Sequence, residues 1–115
     1  MEHLTFGYKF NQSIDDSIPS SVTHISFGYN FNQNINRIPP SITHISFGYN
    51  FNQNINRIPS SVTHLSFFSE FTKPLDSIPS SVKQITIHGS TIKEKKVALY
   101  KIYKNKIVFK NSNKK

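Results

Sequence analysis

The chain has no cysteine and no tryptophan, a single methionine, and only six acidic residues among its 115. Without cysteine it can build neither a disulfide framework nor a thiolate metal site, and that usage fits a reducing compartment. No run of 18 apolar residues occurs in it, so a membrane-spanning helix of ordinary length is excluded. The opening Met-Glu-His has neither the basic start nor the apolar core of a secretory signal. A cytoplasmic protein without membrane contact is expected.

The shortage of acid is local. Residues 1–88 hold five basic groups (Lys9, Arg37, Arg57, Lys73, Lys83) and five acidic ones (Glu2, Asp15, Asp16, Glu70, Asp76). Residues 89–115 hold nine lysines against Glu94, so the whole net charge of +8 sits on the C-terminal segment. The body before it is neutral.

That body repeats itself. HISFGYNFNQNINRIPPSIT (24–43) and HISFGYNFNQNINRIPSSVT (44–63) differ only at Pro40/Ser60 and Ile42/Val62. Ile-Pro pairs stand 20 apart at Ile18, Ile38, Ile58 and Ile78, each preceded by a phenylalanine pair: Phe6/Phe10, Phe27/Phe31, Phe47/Phe51, Phe67/Phe71. The first unit has one extra residue between Ile14 and Ile18, which predicts a swollen surface turn. A fixed period of this kind outranks any local secondary-structure signal.

Inside a unit, His24-Ile25-Ser26-Phe27 alternates polar and apolar, the pattern of a half-buried strand. Val22, Ile25 and Phe27 match the L-x-x-L-x-L opening of a leucine-rich repeat. Twenty residues leave no room for a full helix on the return, and Ile-Pro pushes that path toward extended backbone. Each unit therefore reads as a strand, a turn at Gly7, Gly28 or Gly48, and an extended or 3₁₀ return. Six apolar side chains cannot form a core alone, whereas stacked coils bury theirs against one another. The predicted fold is a β-rich, right-handed, leucine-rich-repeat-like solenoid of parallel strands. Its coils are 3–23, 24–43, 44–63 and 64–83, with a partial strand in 84–88 and a C-terminal cap or tail in 89–115. Ile25, Ile45 and Leu65, with Phe27, Phe47 and Phe67, should point inward. Asn11, Asn32 and Asn52 should form a buried amide ladder, ended by Thr72, that satisfies backbone groups. The rival column of Lys9, Asn30, Asn50 and Glu70 should be exposed.

The strings LTFGYKFNQSI, ISFGYNFNQNI (twice) and LSFFSEFTKPL, followed by IPSSV, IPPSI, IPSSV and IPSSV, resemble the FNIP repeat over residues 3–85. That family is named for its Phe-Asn and Ile-Pro pairs and occurs in social amoebae and their giant viruses. The resemblance implies a leucine-rich-repeat-like solenoid, and, where such repeats follow an F-box, substrate recruitment to a ubiquitin ligase. For a viral chain the compartment would be the host cytoplasm. The repeats start at residue 3 with no F-box ahead of them, so only the binding half carries over.

His3, His24, His44 and His64 precede the inward Ile or Leu and should line the outer, concave face of the sheet, with Gln84 continuing the column. A column does not converge on a metal ion, and four equivalent imidazoles lack the singular surroundings of a catalytic one. Ser26, Ser46 and Ser66 share that face with no acid in register. No catalytic residue, metal or cofactor is expected. The face, made of Thr23, His24, Ser26, Tyr29, Thr43, His44, Ser46, Tyr49, Thr63, His64 and Ser66, suits protein contact, since Tyr and His combine apolar area with a polar tip. Phe68, standing where the other units have glycine, reads as a packing change or an exposed anchor. The alternative is nucleic-acid binding through the lysine-rich segment, with Tyr100, Tyr103 and Phe109 stacking on bases. That segment, with apolar alternation in 97–103 and 106–109, fits a capping hairpin or a short helix at 94–103. Coil 1 has no covering coil over Leu4, Phe6 and Phe10, which points to a weak homodimer through that edge.

Overall fold

Each polar–apolar–polar triplet in the repeat forms a strand, because only extended backbone sends Ile inward while His and Ser face the other way. The computed structural model describes residues 2–14, 18–35, 37–55, 57–68, 71, 78–89 and 107–110. Its strands are β1 (Glu2–Thr5), β2 (Val22–Ser26), β3 (His44–Ser46), β4 (His64–Phe68), β5 (Gln84–His88) and β6 (Ile107–Lys110). They make one sheet in sequence order, and every neighbouring pair is parallel. Equivalent residues of successive coils are partners: His24 with His44 with His64, and Ile25 with Ile45 with Leu65. This is a leucine-rich-repeat-like solenoid of about four turns, with no helix among the described residues. The final strand comes from the basic segment, where Ile107 pairs with Ile85 and Phe109 with Ile87. The 97–103 half of the expected hairpin, the alternative helix, and the extra residue of the first unit lie outside the described residues.

Two turns close each coil. One runs from glycine to phenylalanine, with the Phe31 N–H donating to the Gly28 carbonyl at 3.3 Å. The other follows the Ile-Pro pair, with the Ile42 N–H donating to the Pro39 carbonyl at 3.2 Å. The proline is the first residue of that turn, where its carbonyl is what the turn uses and no N–H of its own is called on. The serine two residues on ties coil to coil: Ser41, Ser61 and Ser81 each donate a hydroxyl to a carbonyl of the preceding coil, at 2.8, 2.7 and 2.8 Å.

The core is a set of columns. Phe27 and Phe31 stack within one coil at 4.1 Å between ring centroids. Phe31, Phe51 and Phe71 then repeat along the axis at 6.1 and 5.8 Å. Ile35, Ile55, Ile42, Val62 and Val82 fill the remaining volume and are buried. Leu4, Phe6 and Phe10 are only half-buried, since coil 1 is covered on one side.

The asparagine ladder exists, but not in the core. Asn11 Oδ1 accepts the Asn32 N–H at 2.8 Å, and Asn32 Oδ1 accepts the Asn52 N–H at 2.9 Å. Asn11 is exposed and Asn32 and Asn52 are half-buried. The expected burial is corrected because the amides satisfy N–H groups at the rim of the turn, where water still reaches. The step to position 72 lies outside the described residues. Gln33 and Gln53 extend the ladder unexpectedly, each donating its amide to both oxygens of the asparagine one coil back.

Coil spacing also explains two glycines. A Cβ on Gly28 would lie 2.8 Å from the carbonyl carbon of Gly7, and one on Gly48 2.6 Å from that of Gly28, with the carbonyl oxygens closer still. A Cβ on Gly7 would meet nothing within 4 Å.

Candidate functional site

Because the sheet is parallel and in register, each polar position of the repeat becomes a straight column on its outer face. The imidazoles of His3, His24, His44 and His64 stack with centroids 4.1, 4.0 and 4.2 Å apart and planes within 13° of parallel. Ser26, Ser46 and Ser66 form the next column, and Tyr8, Tyr29 and Tyr49 a third, at 5.0 and 5.1 Å. Phe68 meets the edge of Tyr49 at 5.9 Å and lies 5.1 Å from the His88 ring, ending the tyrosine column. It is half-buried and serves both as packing and as a wall.

These columns enclose two adjoining grooves. The first, of about 340 Å³, follows the histidine column from His3 to Gln84, with the serines beside it. The second, of about 330 Å³, lies between Ser26, Ser46 and the rings of Tyr29, Tyr49 and Phe68. They share Ser26 and Ser46, so the His24, His44, His64 and Ser66 positions are brought together with Tyr29 and Tyr49 along one surface. Among the described residues, no Asp, Glu, Lys or Arg lines either groove. Thr23, Thr43 and Thr63 line neither. Each instead sits beside its histidine, with Oγ1 2.9, 2.8 and 2.8 Å from Nδ1. At the far end His88 Nε2 lies 2.9 Å from Ser66 Oγ. Sequence reading missed the threonine–histidine pairing, although the invariable Thr-His step in three units was its visible signal.

Among the described residues no three His, Cys, Asp or Glu side chains are grouped to hold a metal ion, and no helix is long and apolar enough to cross a membrane.

Stacking changes how the imidazoles titrate. His24 and His44 are held below the ordinary histidine pKa of 6.5, first by burial and then by the neighbouring histidines, whose charge opposes theirs. The folded state therefore binds these protons more weakly than the unfolded chain does. Stability is fully present above the unfolded pKa of 6.5 and is lost as pH falls through the depressed folded values. Thermal unfolding between about pH 7.5 and about pH 5 should show a falling Tm, and His24→Asn/His44→Asn should flatten that slope. An equally steep slope in the double variant would mean that other groups cause it.

The repeat geometry has counterparts among known proteins. The FNIP repeat matches residues 1–30, 10–50, 31–67 and 51–90. The chain belongs to the FNIP repeat family. Its fold is similar to the crystal structure of CroV588, a novel circular LRR protein from a giant virus, with 42% identity over 75% of this chain and a TM-score of 0.67. This chain spans 14% of that chain's length. No curated protein matches it. In FNIP terms, the Phe of Phe-Asn supplies the buried ring column, its Asn the ladder beside it, and Ile-Pro the second turn. The family's defining pairs are therefore structural, and the grooves are lined by residues between them.

Proposed function

We propose that this FNIP solenoid is a non-enzymatic protein-interaction module that holds a partner along the His–Ser–Tyr face. The observation that carries this reading is the pair of adjoining grooves, free of Asp, Glu, Lys and Arg among the described residues, whose walls combine aromatic area with hydrogen-bonding edges. Aromatic side chains with polar tips are enriched where proteins meet, and charged ones are depleted at the centre of such contacts. Among the described residues, the serine column next to the histidine column has no acid to orient the imidazole, which argues against acyl transfer. Substrate recruitment to a ubiquitin ligase, in the host cytoplasm of an amoeba, is the wider setting that the family suggests.

Partner capture from amoebal lysate tests it. Capture should survive removal of residues 104–115 and fail when Tyr29, His44 and Tyr49 are replaced together. Loss on removing the basic segment, with steeply salt-dependent binding to nucleic acid, would favour the alternative in which the lysines bind phosphates. The half-buried Leu4, Phe6 and Phe10 at the β1 edge support a weak homodimer there. Light scattering at high concentration reads it, and a strict monomer removes it.

A further inference from the structure

The threonines beside the histidine column determine which ring nitrogen carries the proton. A hydroxyl has one hydrogen to donate, and a carbonyl oxygen can only accept. Thr23 Oγ1 lies 3.2 Å from the carbonyl oxygen of Glu2, Thr43 Oγ1 3.2 Å from that of Thr23, and Thr63 Oγ1 3.2 Å from that of Thr43. The Thr23 and Thr43 carbonyls also accept the Thr43 and Thr63 N–H groups, each at 2.8 Å, and only with the hydroxyl hydrogen on the carbonyl do both contacts of each Oγ1 carry a hydrogen. The contact of the same oxygen with the adjacent Nδ1 is then an Nδ1–H donating to Oγ1. The opposite assignment would leave two oxygens facing each other with no hydrogen between them. A neutral ring protonated at Nδ1 has a bare lone pair on Nε2. His24, His44 and His64 therefore offer three acceptors in a row, one per coil.

What such a row can bind is narrow. The ring faces are covered by one another, at 4.0 and 4.2 Å, so a base or a methylated ammonium, which needs an open ring face, finds none between them. Parallel lone pairs cannot meet at one metal ion. Only ring edges remain, beside the hydroxyls of Ser26 and Ser46 and with no Lys or Arg among the described lining residues to compete. A guanidinium is the matching group, because it carries five N–H donors in a fixed fork and no acceptor.

We propose that the histidine groove binds an arginine-rich extended segment of a protein partner while the imidazoles are neutral and releases it when they are protonated. This rests on the reading that the face binds a protein. Protonation turns each acceptor into a donor and sets a cation against the guanidinium. The groups bearing on that switch are few among the described residues. His3 stacks on His24. Glu2, at the open edge, accepts the Ser21 hydroxyl at 2.6 Å. Lys83 takes the threonine position beside Gln84, and His88 lies on Ser66. Burial and mutual repulsion keep His24 and His44 neutral at neutral pH.

Long-range proton–nitrogen correlation spectra of the full chain read the tautomer directly. Nδ1–H is expected at His24, His44 and His64, weakened at His44 by Thr43→Val and restored by Thr43→Ser. A peptide of alternating arginine and glycine should shift the three Nε2 resonances at ~pH 8. Its affinity should fall as pH drops through the depressed His24 and His44 values, by up to about tenfold per pH unit for each of these two rings, and a glutamate–glycine peptide should not bind. His24→Phe/His44→Phe/His64→Phe keeps the ring column, lacks Nε2 and should abolish binding; if that variant does not fold, Thr43→Val decides. Nε2–H tautomers, or arginine-peptide binding that ignores pH, overturn the proposal. Partner capture through Tyr29, His44 and Tyr49 with no response to the arginine peptide would leave the interaction reading standing and remove this one.

Discussion

Phe51→Ala is expected to cost about 3–5 kcal/mol of stability, and Phe31→Ala about the same. Phe51 is 1% exposed. Its ring lies 4.0 Å from Phe47 in its own coil, 6.1 Å from Phe31 on one side and 5.8 Å from Phe71 on the other. Truncation leaves a cavity that cannot collapse easily, because the coils on both sides are pinned by backbone hydrogen bonds such as Asn50 N–H to the Tyr29 carbonyl at 3.0 Å. Small domains are stable by only about 5–15 kcal/mol, so either change should remove a large share of the stability and clearly lower the urea midpoint. His44→Ala removes a half-exposed ring from the outer column and should cost less than about 1 kcal/mol. Equal losses from the two kinds of change would mean that the buried and open faces are exchanged.

Gly48→Ala should be nearly as harmful, at about 3 kcal/mol, the upper end of overpacking costs. The obstructing atoms are the backbone carbonyl of Gly28, which cannot rotate away as a side chain would. Relief requires parting two coils, and that strains the ladder on both flanks. Gly7→Ala, with open space where its Cβ would stand, should stay within about 0.5 kcal/mol. Thermal unfolding of the pair separates coil contact from any intrinsic preference for glycine in this turn. Matching Tm shifts would show that coil approach is not what requires glycine at position 48.

Most of the architecture is readable from spacing. Ile25, Ile45 and Leu65 are partners because a parallel, in-register sheet aligns residues one period apart, and their inward direction follows from alternation with His and Ser. The phenylalanine columns follow for the same reason. The asparagine ladder was legible in position but not in depth. A side chain that caps a backbone N–H can do so equally well in the core or at the rim, and periodicity is the same in both cases. Gln33 and Gln53 went unread although they repeat as faithfully, because nothing in their spacing tells a ladder member from an idle surface amide.

The candidate site divides along a similar line. That histidines, serines and tyrosines form outward columns was implied by the repeat, since stacking copies whatever side chain a unit carries. That the threonines leave the face and hold the rings was not, because Val22 and Ile25 are three residues apart and break the alternation that would have placed Thr23. The union of two grooves through Ser26 and Ser46 depends on how far each ring leans, which only packing sets. The proton on each imidazole lies furthest from the sequence. It is placed by a carbonyl about twenty residues earlier in the chain, which comes within 3.2 Å of the threonine hydroxyl only because one coil stacks on the next.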